Sequence, residues 1–209
     1  EMQRSLVGSE MCIRDSPGDI KYKDISGPDG VPDGKIDSHD RTIIGNPTPR
    51  YEFGLTLGLQ WKGIDFSAFF QGVGKKDVYY SGAGARALCG NYTIYKYQFD
   101  YWTPENPDAK FPRLLEDPNA TNPNNMISSF WVKSGAYCRL KNIVLGYTLP
   151  SSITKAAHIS KLRVYASAQN LFTIKDNFYE GFDPENSVSS GASLYPLNKT
   201  FVFGLNVEF

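Results

Sequence analysis

From Tyr51 to Trp61 the chain alternates strictly. Tyr51, Phe53, Leu55, Leu57, Leu59 and Trp61 take one side, and Glu52, Gly54, Thr56, Gly58 and Gln60 the other. Successive side chains of a strand point to opposite faces, so this run is a strand with one apolar face. After a Lys62-Gly63 turn the pattern recurs, with Ile64, Phe66, Ala68 and Phe70 opposite Asp65, Ser67 and Gln71; Phe69 breaks the polar side. Ile143, Leu145, Tyr147 and Leu149 mark a third strand. Leu162, Val164, Ala166 and Ala168, opposite Arg163, Tyr165, Ser167 and Gln169, mark a fourth. Phe201, Phe203, Leu205, Val207 and Phe209, against Thr200, Gly204, Asn206 and Glu208, mark a fifth. Each run is about ten residues, the length of a tilted strand crossing a bilayer. Strands of soluble proteins usually have about five or six.

The connections alternate as well: short at 62–63, long at 74–137, medium at 150–160, long at 172–199. Outer-membrane barrels have short periplasmic turns and long external loops. The expected fold is therefore all-β: about five antiparallel strands of a transmembrane β-barrel, residues 51–209, with long extracellular loops. The chain would begin outside and end in the periplasm at Phe209. A soluble antiparallel sandwich would produce the same alternation. It accounts less well for strand length, for loop asymmetry and for the aromatic strand ends Tyr51, Trp61, Tyr147 and Phe209.

Composition narrows the partners. With 22 basic and 22 acidic side chains the net charge is zero, which argues against nucleic acid. An aromatic content of 14% suits a lipid-facing wall with interfacial rings. No run approaches the ~18 apolar residues of a spanning helix, and no signal peptide is visible. Residues 1–16 (EMQRSLVGSEMCIRDS) fit neither period and are expected to be a non-native leader. Residues 17–50, rich in Asp, Gly and Pro, are expected to form an extracellular loop. Cys12, Cys89 and Cys138 have no CxxC spacing; isolated thiols are expected, with a Cys89–Cys138 pair as the alternative.

Several stretches carry a resemblance. They are GDIKYKDISGPDGVPDGKIDSHDRTIIGNPTPRYEFGLTLGLQWKGIDFSAFFQG, DYWTPENPDAKFPRL, SGAYCRLKNIVLGYTLP, KLRVYASAQNLFT with YEGFDPE, and KTFVFGLNVEF. In that order, over most of 18–209, they resemble the C-terminal part of the SusC/RagA family, the TonB-dependent outer-membrane transporters of Bacteroidetes-type bacteria. The resemblance implies a barrel of about 22 strands around an internal plug. It also implies a SusD-like surface lipoprotein as partner, energy supplied through TonB, import of oligosaccharides or peptides, and no enzyme activity. Five strands cannot close even the smallest barrel of about eight, so the chain is expected to be a piece of such a transporter. The competing reading is a secreted, calcium-stabilised β-domain for glycan binding or adhesion.

Within 17–50, DGVPDGKIDSHD has the spacing of a calcium loop. Counting Asp29 as position 1 puts Asp33 at 5, Gly34 at 6, the Lys35 carbonyl at 7, Asp37 at 9 and Asp40 at 12. A hard cation wants several oxygens, and the Gly permits the turn that gathers them. Val31 at position 3 offers no side-chain oxygen, and Asp40 is shorter than the usual Glu; Asp24 could substitute from the preceding segment. An ion-free acidic turn is the alternative. The expected role of Ca2+ is to brace a loop.

The aromatic stretch NYTIYKYQFDYWTPENP carries Tyr92, Tyr95, Tyr97, Tyr101 and Trp102. Flat rings suit sugars, so Tyr101, Trp102 and Trp131 are candidate ligand contacts, against the plainer reading of loop packing. Gly82–Ala87 matches G-x-G-x-x-A without strand–helix context and is expected to be a loop. His39 and His158 lack metal-ligand spacing. Arg139, Lys141, Arg163, Gln169, Asn206 and Glu208 are expected on a polar, water-lined inner wall. The terminal Phe209 resembles the signal read by the barrel-assembly machinery, and lipid of the outer membrane is the expected surrounding of the apolar face.

Overall fold

The computed structural model of the chain describes residues 16–82, 85–88, 94–115, 123–178, 182–185 and 197–209. The expected leader apart from Ser16, together with Cys89 and Tyr92, lies outside the described residues, and so does any Cys89–Cys138 pairing. In chain order the strands are β1 (Tyr51–Trp61), β2 (Ile64–Gly74), β3 (Asp77–Tyr79), β4 (Val132–Ser134), β5 (Tyr137–Thr148), β6 (Lys161–Lys175) and β7 (Thr200–Glu208). Two compact units result. One, built from Pro49–Lys75, Gly135–Asp176 and Pro196–Phe209, holds β1, β2, β5, β6 and β7. The other, from Glu1–Thr48, Lys76–Ser134 and Asn177–Tyr195, holds β3 and β4.

The first unit is a five-stranded sheet in the order β1-β2-β5-β6-β7, antiparallel throughout. Its strands have 11, 11, 12, 15 and 9 residues, close to the length read from the alternation. Lys62 (φ 45°) and Gly63 (φ 86°) both take left-handed backbone, the conformation a two-residue hairpin turn requires. At the same end, Ser151–Thr154 (α1) and the 3-10 turn Lys155–Ala157 join β5 to β6.

Antiparallel partners share a face. Leu57 pairs with Ala68, Ala68 with Ile143, Ile143 with Ala168 and Ala168 with Phe201, so one apolar row crosses all five strands. Three residues along, the row Gln60, Asp65, Gly146, Tyr165 and Gly204 lies on the opposite, mostly polar face. The apolar face is uncovered: Phe203 is 81% exposed and Trp61 62%. Among the described residues no helix is long and apolar enough to cross a membrane.

One expectation needs correction. Arg139 and Lys141 on the polar wall, with Ile143 and Leu145 on the apolar one, cannot coexist in an unbroken alternation. The register resolves this with a bulge. Phe70 faces Leu140 and Phe69 faces Asn142, so Lys141 is skipped. On β6 the same level carries a second irregularity, with Leu140 facing Phe172 and Asn142 facing Gln169, and Asn170 takes φ 52°. One extra residue inverts the face of everything beyond it. Arg139 therefore shares a face with Gln71 and Thr173, as expected, while Lys141 belongs to the bulge and not to the regular wall.

The second unit corrects the picture of the long connections as plain loops. Ile20, Tyr22, Val78, Tyr80, Ala85, Phe111 and Trp131 form a buried core, with Tyr97, Tyr101, Phe130, Phe178 and Phe182 packed against it. β3 and β4 pair beside it, and the Tyr80 N–H extends the ladder to the Trp131 carbonyl at 2.9 Å. Arg113 clamps Asp19 with two bonds of 2.6 and 2.8 Å, and Asn124 ties Asp19 and the Ile20 N–H into the same knot.

Candidate functional site

In the acidic loop the backbone already occupies the carboxylates. Asp33 accepts from the Lys35 N–H at 2.9 Å, and Asp37 caps the 3-10 turn Ser38–Asp40 through the His39 N–H at 2.7 Å. Asp40 is fully buried and accepts from the N–H groups of Ile25 (2.7 Å), Ser26 (3.1 Å) and Asp37 (2.8 Å). Asp29 is exposed. Asp24 accepts from the Gly34 N–H at 2.6 Å through Oδ2, while its Oδ1 is buried without a hydrogen-bond partner. Gly30 (φ 76°) and Gly34 (φ 83°) take the left-handed turns that gather the loop. Among the described residues no group of three or more His, Cys, Asp or Glu side chains converges as a metal cage.

Electrostatics follow from these bonds. Burial pushes the Asp40 carboxyl up, but the N–H donors of Asp37, Ile25 and Ser26 more than offset it and hold it below the ordinary carboxylate value. Asp37 is held low by the His39 N–H and then by the His39 ring, whose Nδ1 lies 2.9 Å away.

The aromatic candidates separate by burial. Trp131 is 2% exposed, its indole N–H bonds the Asn124 carbonyl at 2.9 Å, and Arg86 lies over its ring. It packs the core. Tyr101 and Trp102 are half-buried; Tyr101 bridges to Phe111, and the Trp102 ring covers Gly18, where a Cβ would collide. The sequence reading did not name Phe99, 63% exposed; it named Tyr95, which stacks on Tyr97 at 5.7 Å with an interplanar angle of 13°, but did not carry it forward as a ligand contact. The only signal for either was its place in the aromatic stretch.

On the polar face of the sheet, Arg163 makes two bonds to Asp65, 2.8 and 2.5 Å long, across the intervening β5. Gly146 lies beneath this pair; a Cβ there would sit 2.5 Å from both Arg163 Nη2 and Asp65 Oδ1. Arg139 is buried and donates from Nε to the Thr173 hydroxyl at 2.7 Å. Gln169 and Asn206 share this face with Arg163 by register, as does Glu208, which also meets Lys161 at 3.2 Å. Phe209 follows β7 and is 89% exposed.

A sheet with one unbroken apolar face and a polar face carrying ion pairs fits a barrel wall between lipid and water. Comparison with known proteins agrees. TonB-dependent receptor P3 of Formosa agariphila is 33% identical over 210 residues, covering 92% of this chain and 19% of that protein. The chain is a barrel segment of the SusC/RagA family of TonB-dependent receptors. TonB-dependent receptor P26 of the same organism is 32% identical over 92% of the chain. SusC of Bacteroides thetaiotaomicron is 29% identical over 84% of the chain. Among solved structures, the RagAB peptide transporter superposes with a TM-score of 0.64 at 27% identity, over 88% of this chain and 20% of that one. The RagAB peptide importer in its open-open state gives 0.61 at 28% identity. The chain spans about a fifth of the length of these relatives. No protein-family model matches it. Receptors of this family reside in the outer membrane, and the five strands form part of such a barrel.

Proposed function

We propose that these strands and loops belong to an importer that takes up oligosaccharides or peptides with a SusD-like surface lipoprotein, energised through TonB. The observation that carries this reading is the apolar row running in register across all five strands. A working transporter must also close the barrel, because an open edge in lipid leaves backbone N–H and C=O groups unpaired. Relatives described as receptors and a peptide transporter support import over catalysis. RagAB is described as a peptide transporter and SusC as a receptor, so both substrate classes are kept. Phe209, at the end of an alternating aromatic strand, serves the barrel-assembly machinery in this reading.

The secreted-domain alternative needs a second sheet over the apolar face, and among the described residues that face is open. The deciding experiment is extraction of the complete barrel protein containing these residues. It should leave the membrane only with detergent and change electrophoretic mobility on heating. Recovery in the soluble fraction would overturn the reading.

Calcium enters as a bracing ion, with Asp29, Asp33, Asp37 and Asp40 and the Lys35 carbonyl as the oxygens. Support comes from the spacing and from the orphaned Asp24 oxygen close to this loop. Asp33, Asp37 and the buried Asp40 would have to exchange backbone bonds for the ion. Calorimetric titration with Ca2+ alone should give binding that Asp33→Ala and Asp40→Ala both abolish. Unchanged heats in both variants would sink the proposal.

A further inference from the structure

The outer wall of the sheet is not evenly filled. A groove of about 760 Å³ opens on it, rimmed by Leu145 and Tyr147 on one side and Phe203 and Leu205 on the other, and floored by Val164 and Ala166 of β6. Register explains the gap. Ala166 stands in a row between Leu145 and Phe203, and Ala168 in the next between Ile143 and Phe201, so β6 presents small side chains where both neighbours present large ones. The trough therefore follows the strand, which in a barrel runs obliquely through the bilayer. All the rim side chains named here lie on the apolar face, and their ring and methyl groups offer almost nothing polar. A volume of this size falls in the range of about 300–1,000 Å³ typical of sites for small ligands.

The groove reaches the end of the sheet that carries the short turns, the periplasmic end in outer-membrane barrels. Tyr147 on its rim pairs with Ile64, and Ile64 with Trp61, so Lys62 closes the same edge of the wall. The Lys62 ammonium lies 5.1 Å from the Trp61 ring centroid, with Trp61 exposed on the apolar face. A tryptophan beside a lysine at a strand end is the arrangement that meets lipid headgroups. Lys155, exposed on the connection from β5 to β6, adds a second cation at this end.

We infer that the groove holds one acyl chain of a periplasmic-leaflet glycerophospholipid, whose phosphate meets Lys62. The wall is continuous with the bilayer that surrounds the barrel, so lipid is the solvent already in contact with it. A linear chain matches a trough one side chain wide, and the cation at its end matches a phosphodiester. The site is independent of the imported substrate.

The test uses the complete barrel protein, delipidated in a mild detergent and mixed with dioleoyl phosphatidylglycerol or with dioleoylglycerol, read by native mass spectrometry. Phosphatidylglycerol should stay bound to the folded barrel, and dioleoylglycerol should stay less. Ala166→Phe fills the trough; excluding about two methylenes predicts a loss of retention of about tenfold. Leu55→Phe, on the same wall outside the groove, should retain lipid as the parent does. Equal retention by Ala166→Phe and the parent, or equal loss in Leu55→Phe, would overturn the proposal, as would equal retention of the two lipids or a protein mass in place of lipid. A photoactivatable phosphatidylglycerol on the unmutated protein gives a second reading that needs no variant. Adducts should concentrate on peptides from 161–175 and 200–208, and even labelling of 51–61 would contradict the groove.

Discussion

Asp40 shows what a single side chain contributes to the loop unit. Its carboxylate gathers three backbone N–H groups from two separate stretches, 25–26 and 37, and so ties the ends of the acidic loop together. Its folded pKa lies below the ordinary 3.8. A depressed carboxylate adds stability that is complete above the unfolded pKa and is lost as pH falls through the folded one. Protease resistance of the loop should therefore be flat above about pH 5 and decline below about pH 4. Asp37, also held low, contributes in the same direction through His39. Asp40→Asn should lower loop stability by about 1–3 kcal/mol and remove part of the acid dependence, checked by limited proteolysis across pH. The sequence marked Asp40 as an oxygen donor at the end of a turn-rich motif. Whether a carboxylate there meets an ion or backbone N–H groups depends on which loop returns beside it. Segment 24–26 makes that contact, and residue spacing does not encode it. Trp131 teaches a related lesson: a tryptophan in a loop looks available in sequence, and only its neighbours Ile20, Tyr22 and Phe111 place it in a core.

At the scale of the strand, alternation was legible wherever it was unbroken. β1 followed its period from end to end and β7 with one exception, Val202 on the polar face, because their apolar positions are large and their other positions mostly small or polar. β5 did not, because one skipped residue at Lys141 reverses the faces, and a bulge carries no compositional mark stronger than a lysine in a strand. The two faces predict opposite tolerance. Leu205→Lys places a charge on the apolar face and should cost about 2–4 kcal/mol near the bilayer midplane, less toward either interface. Asn206→Lys, one residue on, points to the polar face and should leave stability nearly unchanged. Urea unfolding of the barrel in lipid vesicles measures both. Equal penalties for the two substitutions would show that the faces are not lipid and water.

For the whole molecule, the sheet was readable from sequence and the loop unit was not. A membrane strand announces itself by period, since lipid and water lie on its two sides. The loop unit is instead assembled from 16–48, 76–134 and 177–195, whose apolar residues are irregularly spaced and meet only in three dimensions.

The central claim is that one face of the sheet meets lipid and the other water, and it can be measured directly. Nitroxide labels placed singly at Leu55, Thr56, Leu57 and Gly58 of β1, and at Val202, Phe203, Gly204 and Leu205 of β7, would be compared in the complete barrel protein in bilayers. Collision with oxygen should be high at Leu55, Leu57, Phe203 and Leu205, and collision with a water-soluble nickel complex low there. The intervening positions should show less oxygen contact. Nickel access at the four apolar positions equal to that at their neighbours would contradict the account.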